Sequence, residues 1–217
     1  MADRPTVVLL HGLARRPRTM RGLAAVLEDA GYEPVAIGYP TLTTSIEAAA
    51  AAVADRLAQL GDRPLYAVTH SLGGVLIRHL RDPRLTWKRI VMLAPPNQGS
   101  AVARAASAVV DADVAAQLPS VATLSTATPH TWPYPPAPFA IIAGTRRPPP
   151  HHPAGWLGRL FLPAREPSDG TVLVRETRLR GAAAFATVDA THTAIMDHPE
   201  AQRLAIAFLR DGAFPAP

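Results

Sequence analysis

Short apolar segments alternate with helical patterns along the chain, and this alternation is the feature that most constrains the fold. Six segments have the length and apolar character of strands: residues 6–12, 32–40, 65–70, 89–96, 139–145 and 184–192. The first of them, "TVVLLHG", contains a continuous apolar run. Runs of this kind are typical of strands that are buried on both faces of a parallel sheet.

Helical segments fall between these strands, at residues 19–30, 44–61, 72–81, 100–118 and 199–210. In the second of them, apolar side chains recur at helical spacing, and Thr44 and Glu47 have the spacing of a capping box. The repeating order predicts an α/β fold, with a mostly parallel central sheet of about six strands and helices on both faces. We expect residues 1–217 to form one domain of this kind, without a large cap domain.

The composition excludes several kinds of site. The 217 residues are 48% hydrophobic and include no cysteine, which excludes a disordered chain, disulfides, thiolate metal sites and a cysteine nucleophile. No phosphate-binding glycine motif follows a strand, and no histidine–carboxylate cluster has ligand spacing, so neither a cofactor nor a metal is expected. No apolar run approaches the ~18 residues of a transmembrane segment, and the N-terminal segment lacks a signal-peptide pattern, which favours a cytoplasmic protein.

The net charge is +5, and arginine supplies almost all of the positive charge. Arg15, Arg16, Arg18 and Arg21 form a cluster that either attracts an anionic substrate or surface or is an ordinary solvated surface. No aromatic residues interleave with these arginines, so nucleic-acid binding is not expected. The sequence leaves the oligomeric state open.

A serine, an aspartate and a histidine follow successive predicted strands, where open parallel sheets bind their ligands. Ser71 lies in "VTHSLGGVLIR", Asp169 in "PSDGTV" and His192 in "DATHTAIM". A serine hydroxyl needs a neighbouring base, and the base needs an acid that orients it. We therefore predict Ser71 as nucleophile, His192 as base and Asp169 as acid, with Asp189 as the alternative acid. His70 is expected to point away from the site.

The turn that carries the serine needs small residues on both sides, because its backbone is strained. Gly73 and Gly74 meet this need on one side, whereas the other side has Thr69. The helix that begins after the serine directs its first amides at the site, so the N–H of Leu72 is a predicted oxyanion donor. The N–H of Leu13, after the first strand, is the predicted second donor.

The segments "VVLLHGL", "VTHSLGGVLIR", "VMLAPPNQGS", "SDGTV" and "THTAIM" resemble those of small bacterial lipases and esterases of the α/β-hydrolase superfamily. The resemblance extends from residue 6 to about residue 197, and it implies the same triad and the same two oxyanion donors. The chain departs from the family pattern Gly-x-Ser-x-Gly at Thr69. Some lipase-type members carry a small residue other than glycine there, so we interpret Thr69 as a tolerated variant.

These observations predict a serine hydrolase that cleaves small-molecule or lipid-like carboxylic esters with an apolar acyl part, through an acyl-enzyme intermediate. The proline-rich stretches 119–138 and 146–167 are predicted to be substrate-binding or lid segments, or else surface loops. The apolar residues expected beside the crevice as substrate-binding residues are Leu13, Met20, Pro96, Trp132, Tyr134, Trp156 and Met196. The alternatives are an acyltransferase that uses the same triad and a binding protein that has the fold without the activity.

Overall fold

Parallel strands form one open six-stranded sheet, which confirms the predicted α/β class. The computed structural model describes residues 4–109, 117–125, 129–149 and 160–216. The strands are β1 (Thr6–Leu10), β2 (Glu33–Ile37), β3 (Pro64–His70), β4 (Thr86–Leu93), β5 (Phe139–Gly144) and β6 (Ala184–Val188). Every pair of neighbouring strands is parallel. The strands lie where the apolar segments predicted them, although all except β3 end before the predicted last residue, and β4 begins at Thr86 rather than at residue 89.

The order of the strands in the sheet is β2-β1-β3-β4-β5-β6. The chain therefore starts inside the sheet, moves outward to β2, and then reverses direction to continue from β3 to β6. Ligand sites of open α/β sheets lie at such a reversal, beyond the carboxyl ends of the strands. Leu10 pairs with Thr69 in the register of β1 and β3, so the loop after β1 begins beside the turn after β3.

Helices cover both faces of the sheet, as predicted. The α-helices are α1 (Arg21–Asp29), α2 (Ile46–Ala58), α3 (Leu72–His79), α4 (Ala101–Val109), α5 (Pro119–Ser125), α6 (Val174–Thr177) and α7 (Pro199–Asp211). Short 3-10 helices lie at Pro17–Met20, Pro129–Thr131 and Ile195–Asp197. No helix in the described ranges has the length and apolar character needed to cross a bilayer.

Two apolar cores lie on opposite faces of the sheet, because side chains alternate along each strand. In β1, Val8 and Leu10 pack towards α2 and α3, whereas Val7 and Leu9 pack towards α1 and α7. Parallel strands that are buried on both faces need apolar residues at every position, which explains the uninterrupted run in β1.

The cap of α2 differs from the predicted capping box. The helix begins after Ser45, whose hydroxyl accepts a hydrogen bond from the N–H of Ala48 at 3.2 Å. Thr44 and Glu47 have the right spacing, but the chain enters the helix one residue later than Thr44. Serine caps a helix as well as threonine does, so the sequence alone did not separate the two positions.

Candidate active site

Ser71 occupies the sharp turn between β3 and α3. Its backbone angles, φ 52° and ψ −118°, lie outside the regions that residues with a side chain ordinarily adopt. Such strain costs on the order of 1–3 kcal/mol and persists only where the surrounding structure enforces it. The N–H of Ser71 is held by the carbonyl of Leu93 at 2.9 Å, which ties the turn to the end of β4.

The glycines after Ser71 allow the turn to pack closely against its neighbours. A β-carbon on Gly73 would overlap the carbonyl oxygen of Leu10, and one on Gly74 would lie 2.7 Å from the β-carbon of Pro95. Both positions therefore need glycine for reasons of space. Thr69, on the other side of the turn, is fully buried, and its hydroxyl donates a long hydrogen bond of 3.4 Å to the carbonyl of Val91. The threonine is accommodated within the sheet.

Ser71, His192 and Asp169 form a chain of hydrogen bonds. The Nε2 atom of His192 lies 2.9 Å from the Oγ atom of Ser71, and its Nδ1 atom lies 2.7 Å from the Oδ2 atom of Asp169. The other carboxylate oxygen of Asp169 accepts the N–H groups of Thr171 at 2.9 Å and Val172 at 2.7 Å. These bonds fix the orientation of the carboxylate, and the carboxylate in turn fixes the orientation of the imidazole ring.

The structure brings Asp169, and not the alternative Asp189, against His192. Asp169 is 1% exposed, and its carbonyl oxygen also accepts the N–H of His192 at 3.0 Å. The side chain of Asp189 is 67% exposed and forms an ion pair with Arg146. Gly144 makes room for this arrangement, since a β-carbon there would lie 2.8 Å from the β-carbon of Asp169.

His70 contacts the site, which corrects the expectation that it points away. Its Nε2 donates to the carbonyl oxygen of His192 at 2.8 Å, and the two rings lie 4.8 Å apart between centroids. Burial lowers the pKa of His70 well below its usual value, and the neighbouring His192 lowers this pKa further. His70 is therefore a neutral donor that holds the main chain of His192. The positive φ of Ser71 interrupts the regular alternation of strand side chains, so this contact could not be predicted from the sequence pattern.

The loop after β1 is fixed by local contacts on the other side of Ser71. The ring of His11 stacks on Tyr39 at 4.5 Å, and its Nδ1 donates to the carbonyl of Gly12 at 3.1 Å. Tyr39 also donates its hydroxyl to the carbonyl of His11. Within the described residues, no acceptor contacts the N–H of Leu13 or that of Leu72.

A cavity of about 310 Å³ opens beside Ser71 and His192. Of the predicted substrate-binding residues, Leu13 and Pro96 line it. Met20 and Met196 instead pack in the core that faces α1 and α7, so they lie behind the site. An apolar side chain near a strand end suits a core and a cavity equally well, and only the packing of the helices distinguishes the two.

Two of the three aromatic residues predicted to bind substrate, Trp132 and Tyr134, do not line this cavity. Trp132 is buried under the guanidinium of Arg78, 5.3 Å from the ring centroid. Tyr134 is 49% exposed, and Trp156 lies outside the described residues. Arg78 is itself buried, which lowers its pKa to about 10, and it donates to the carbonyls of Trp132, at 3.0 Å, and Pro133. Trp132 therefore has a structural role: with its contact to Arg78 it attaches the first proline-rich stretch to α3.

Residues of α4 and α5 form the apolar wall of the cavity, and the sequence analysis did not identify them. The wall consists of Val102, Ala103, Ala106, Val121 and Leu124. The alanine-rich pattern after residue 100 indicated a helix, but not which of its faces meets the site.

Glu176 holds this wall in place. Its Oε1 atom accepts the N–H of Ala101, the first residue of α4, at 2.7 Å, and also the guanidinium of Arg104 at 3.1 Å. Its Oε2 atom accepts the N–H of Leu173 at 3.0 Å. Burial raises the pKa of this carboxyl above its usual value, and hydrogen bonds oppose the shift.

The site is suited to nucleophilic chemistry. In the described ranges, no group of three or more histidine, aspartate or glutamate side chains is arranged to hold a metal ion. The serine hydroxyl, the imidazole and the carboxylate are in hydrogen-bond contact, which is the geometry that transfers a proton from a nucleophile to a base.

Comparison with known proteins supports the fold. The mature lipase of Bacillus licheniformis is 20% identical to this chain, with a TM-score of 0.75, and the match covers 90% of this chain and 88% of that one. A metagenomic carboxyl esterase is 17% identical, with a TM-score of 0.68, over 90% of this chain and 66% of that one. A monoacylglycerol lipase of Paleococcus ferrophilus is 19% identical, with a TM-score of 0.60, over 95% of each chain. No family model matches the sequence, and no curated protein matches it.

Proposed function

We propose that this protein, which has the α/β-hydrolase fold, is a serine hydrolase that cleaves carboxylic esters with an apolar acyl group. The observation that carries the proposal is the hydrogen-bonded chain of Ser71, His192 and Asp169 at the edge of an apolar cavity. The solved structures that share the fold and are named as lipases or esterases support the same class of reaction.

The first half of the reaction transfers the acyl group to the protein. Ser71 attacks the ester carbonyl while His192 takes the proton of its hydroxyl, and Asp169 stabilises the imidazolium that forms. The negative charge that develops on the carbonyl oxygen is bound by the N–H groups of Leu13 and Leu72, which have no other acceptor among the described residues. One such donor stabilises a transition state by ~3 kcal/mol. His192 then gives its proton to the departing alcohol.

The second half releases the acyl group as a carboxylic acid. A water molecule takes the place of the alcohol, and His192 accepts a proton from it as it attacks the acyl-serine. The tetrahedral intermediate uses the same two N–H donors. When it collapses, Ser71 recovers its proton from His192, so both side chains return to their starting states.

The shape of the cavity supports an apolar acyl group. Its wall on α4 and α5 offers only apolar side chains, such as Val102, Val121 and Leu124. Burying apolar surface contributes roughly 25 cal/mol per Å², so each methylene that reaches this wall adds to binding. A polar acyl group would lose its water without gaining a hydrogen bond there.

Labelling with a fluorophosphonate tests the nucleophile directly. We expect the probe to attach to Ser71, because only an activated serine reacts with it. Ser71→Ala is expected to abolish both the labelling and the turnover of a nitrophenyl ester, with an unchanged circular dichroism spectrum. Ser100→Ala removes another hydroxyl of the lining and is expected to keep the labelling. Equal turnover by the Ser71→Ala variant would refute the proposal, and absence of labelling would favour a binding protein.

A further inference from the structure

Arg15 brings a positive charge to the lining of the cavity. Within the described residues it contacts no carboxylate, and neither do Arg16, Arg18 and Arg21 in the same segment. Arginines elsewhere on the surface do form ion pairs, for example those of Arg63 with Glu33, Arg146 with Asp189 and Arg203 with Glu200. The charge of Arg15 is therefore available to a ligand that enters the cavity.

Arg15 lies in the loop that follows β1. Its N–H donates to the carbonyl of Gly12 at 3.2 Å, so it closes the turn that carries Leu13. Its charge also contributes to the lowered pKa of His70, whose ring contacts that of His192. The imidazole of His192 is the group that protonates a leaving alcohol. Arg15 and His192 line the same cavity, so the alcohol that His192 protonates leaves through a space that Arg15 borders.

The other charges around the cavity do not oppose an anion. The lining within the described residues includes no aspartate or glutamate. The nearby carboxylate of Asp169 is buried and already accepts two N–H groups and the ring of His192. Asp197 lies against Gly22, at the far end of the arginine-rich segment, and it does not line the cavity. Among the described residues of the lining, an anionic group beside His192 thus meets the unpaired guanidinium of Arg15 and no carboxylate.

The cavity has a positive charge at Arg15 and an apolar wall on α4 and α5. From this arrangement we propose that the preferred substrate is an ester whose leaving group carries a carboxylate or a phosphate. Arg15 binds this anion, while the apolar acyl group lies against α4 and α5. The proposal rests on the proposed function, since it concerns the substrate of the same site. The anion takes no part in the chemistry: the ester bond breaks as before, His192 supplies the proton of the alcohol, and the carboxylate or phosphate leaves with its charge unchanged. A planar guanidinium binds either anion through two parallel hydrogen bonds.

A matched pair of fluorogenic esters tests this preference. The neutral substrate is methylumbelliferyl butyrate, and the anionic one is the butyrate ester of carboxyumbelliferone, used as soluble monomers. The measured quantity is the ratio of kcat/KM for the anionic ester to kcat/KM for the neutral one, compared between variants so that the intrinsic reactivities cancel. Arg15→Gln is expected to lower this ratio about fivefold, because Arg15 is exposed and water weakens its ion pairs. Arg15→Lys is expected to restore only part of the ratio, because an ammonium keeps the positive charge but not the two parallel hydrogen bonds.

Arg16→Gln is the control, because it removes the same charge from a neighbouring exposed residue that does not line the cavity. We expect this variant to keep the ratio of the unaltered protein. An equal fall for both variants would show a diffuse field of the arginine cluster, and an unchanged ratio in Arg15→Gln would show no anion site; either result overturns the inference. If the unaltered protein hydrolyses neither ester and is not labelled by a fluorophosphonate, the proposed function itself is wrong.

Discussion

The catalytic corner and the cavity wall border the same space, yet different forces hold them. The corner, formed by residues 69–74, 169–172 and His192, is fixed by hydrogen bonds that mostly involve the main chain and by glycines without spare room. The wall, formed by α4 and α5, presents apolar side chains to the cavity, and their packing is not directional. The corner therefore sets where the reacting atoms lie, whereas the wall sets how much volume the substrate has.

This difference predicts contrasting responses to substitution. A change of one atom in the corner moves a hydrogen bond and lowers the rate, because catalytic geometry tolerates only small displacements. A change of one side chain in the wall alters the size of the cavity and leaves the reacting atoms in place. The following predictions probe the contrast, beginning with the largest effect.

Asp169→Asn is expected to reduce kcat by about 10⁴-fold, because the amide favours the wrong tautomer of His192. Asp189→Asn is the matched control, since Asp189 pairs with Arg146 on the surface. Its kcat is expected to stay within about twofold, as surface ion pairs contribute little. The measurement is turnover of a nitrophenyl ester at saturation. A larger loss of kcat in the Asp189 variant would show that Asp169 is not the acid.

Gly73→Ala tests how rigid the corner is. The new methyl group would overlap the carbonyl oxygen of Leu10, so the strand or the turn must move. We expect a loss of about 2–3 kcal/mol in the free energy of unfolding in urea, together with a strong loss of activity. Gly38→Ala is the comparison, because its new methyl group would meet only the ring of Pro17, at 3.0 Å. Similar losses in both variants would show that the corner is no more tightly packed than an ordinary loop.

Val121→Phe tests the wall. The larger side chain takes volume from the cavity, so the ratio of kcat/KM for an octanoate ester to kcat/KM for an acetate ester is expected to fall about tenfold, equivalent to ~1.4 kcal/mol. The acetate ester should still be hydrolysed, because the corner is untouched. Ala122→Phe adds the same bulk on the exposed side of α5 and is expected to leave the ratio unchanged. Loss of acetate hydrolysis in the Val121 variant would mean that wall and corner are not separable.

His70 is expected to make the stability of the protein depend on pH. Its pKa is lowered by folding, so the unfolded chain binds more protons below the usual value of 6.5. The stability that depends on neutral His70 is therefore complete above pH 6.5 and is lost as the pH falls below it, by at most about 1.4 kcal/mol per pH unit. His70→Gln should show a smaller fall in urea midpoint between pH 7 and about pH 5.5. A fall equal to that of the unaltered protein would exclude this role.

The arrangement of the corner could be predicted because two of its residues closely follow strands. Ser71 comes directly after β3 and His192 shortly after β6, whereas Asp169 lies in the long segment between β5 and β6. Parallel strands bring their carboxyl ends together at one edge of the sheet. The contact of His70 was not predictable, since the alternation of strand side chains does not hold across the strained turn at Ser71. The sequence showed Thr69 only as a departure from the pattern Gly-x-Ser-x-Gly. The structure shows that a carbonyl of the sheet accepts a hydrogen bond from its hydroxyl.

The wall was not predictable for a different physical reason. An apolar side chain gains the same free energy from a core as from the edge of a cavity, so the sequence does not distinguish Met20, which is in the core, from Val102, which lines the cavity. The position of α4 depends on Glu176, which contacts Ala101 although 75 residues separate them. Contacts between residues so far apart in the chain produce no local sequence pattern from which they could be predicted.

The carboxylate of Glu176 binds both the first residue of α4 and Leu173, which follows the loop that carries Asp169. An exchange of α4 for a segment from another protein, intended to change chain-length selectivity, would therefore also disturb the loop that holds Asp169. Selectivity in this scaffold is best altered by replacing side chains on α4 and α5 in place. A transplanted helix would need a first residue whose N–H meets the same carboxylate. Glu176 and the helix would therefore have to be exchanged together.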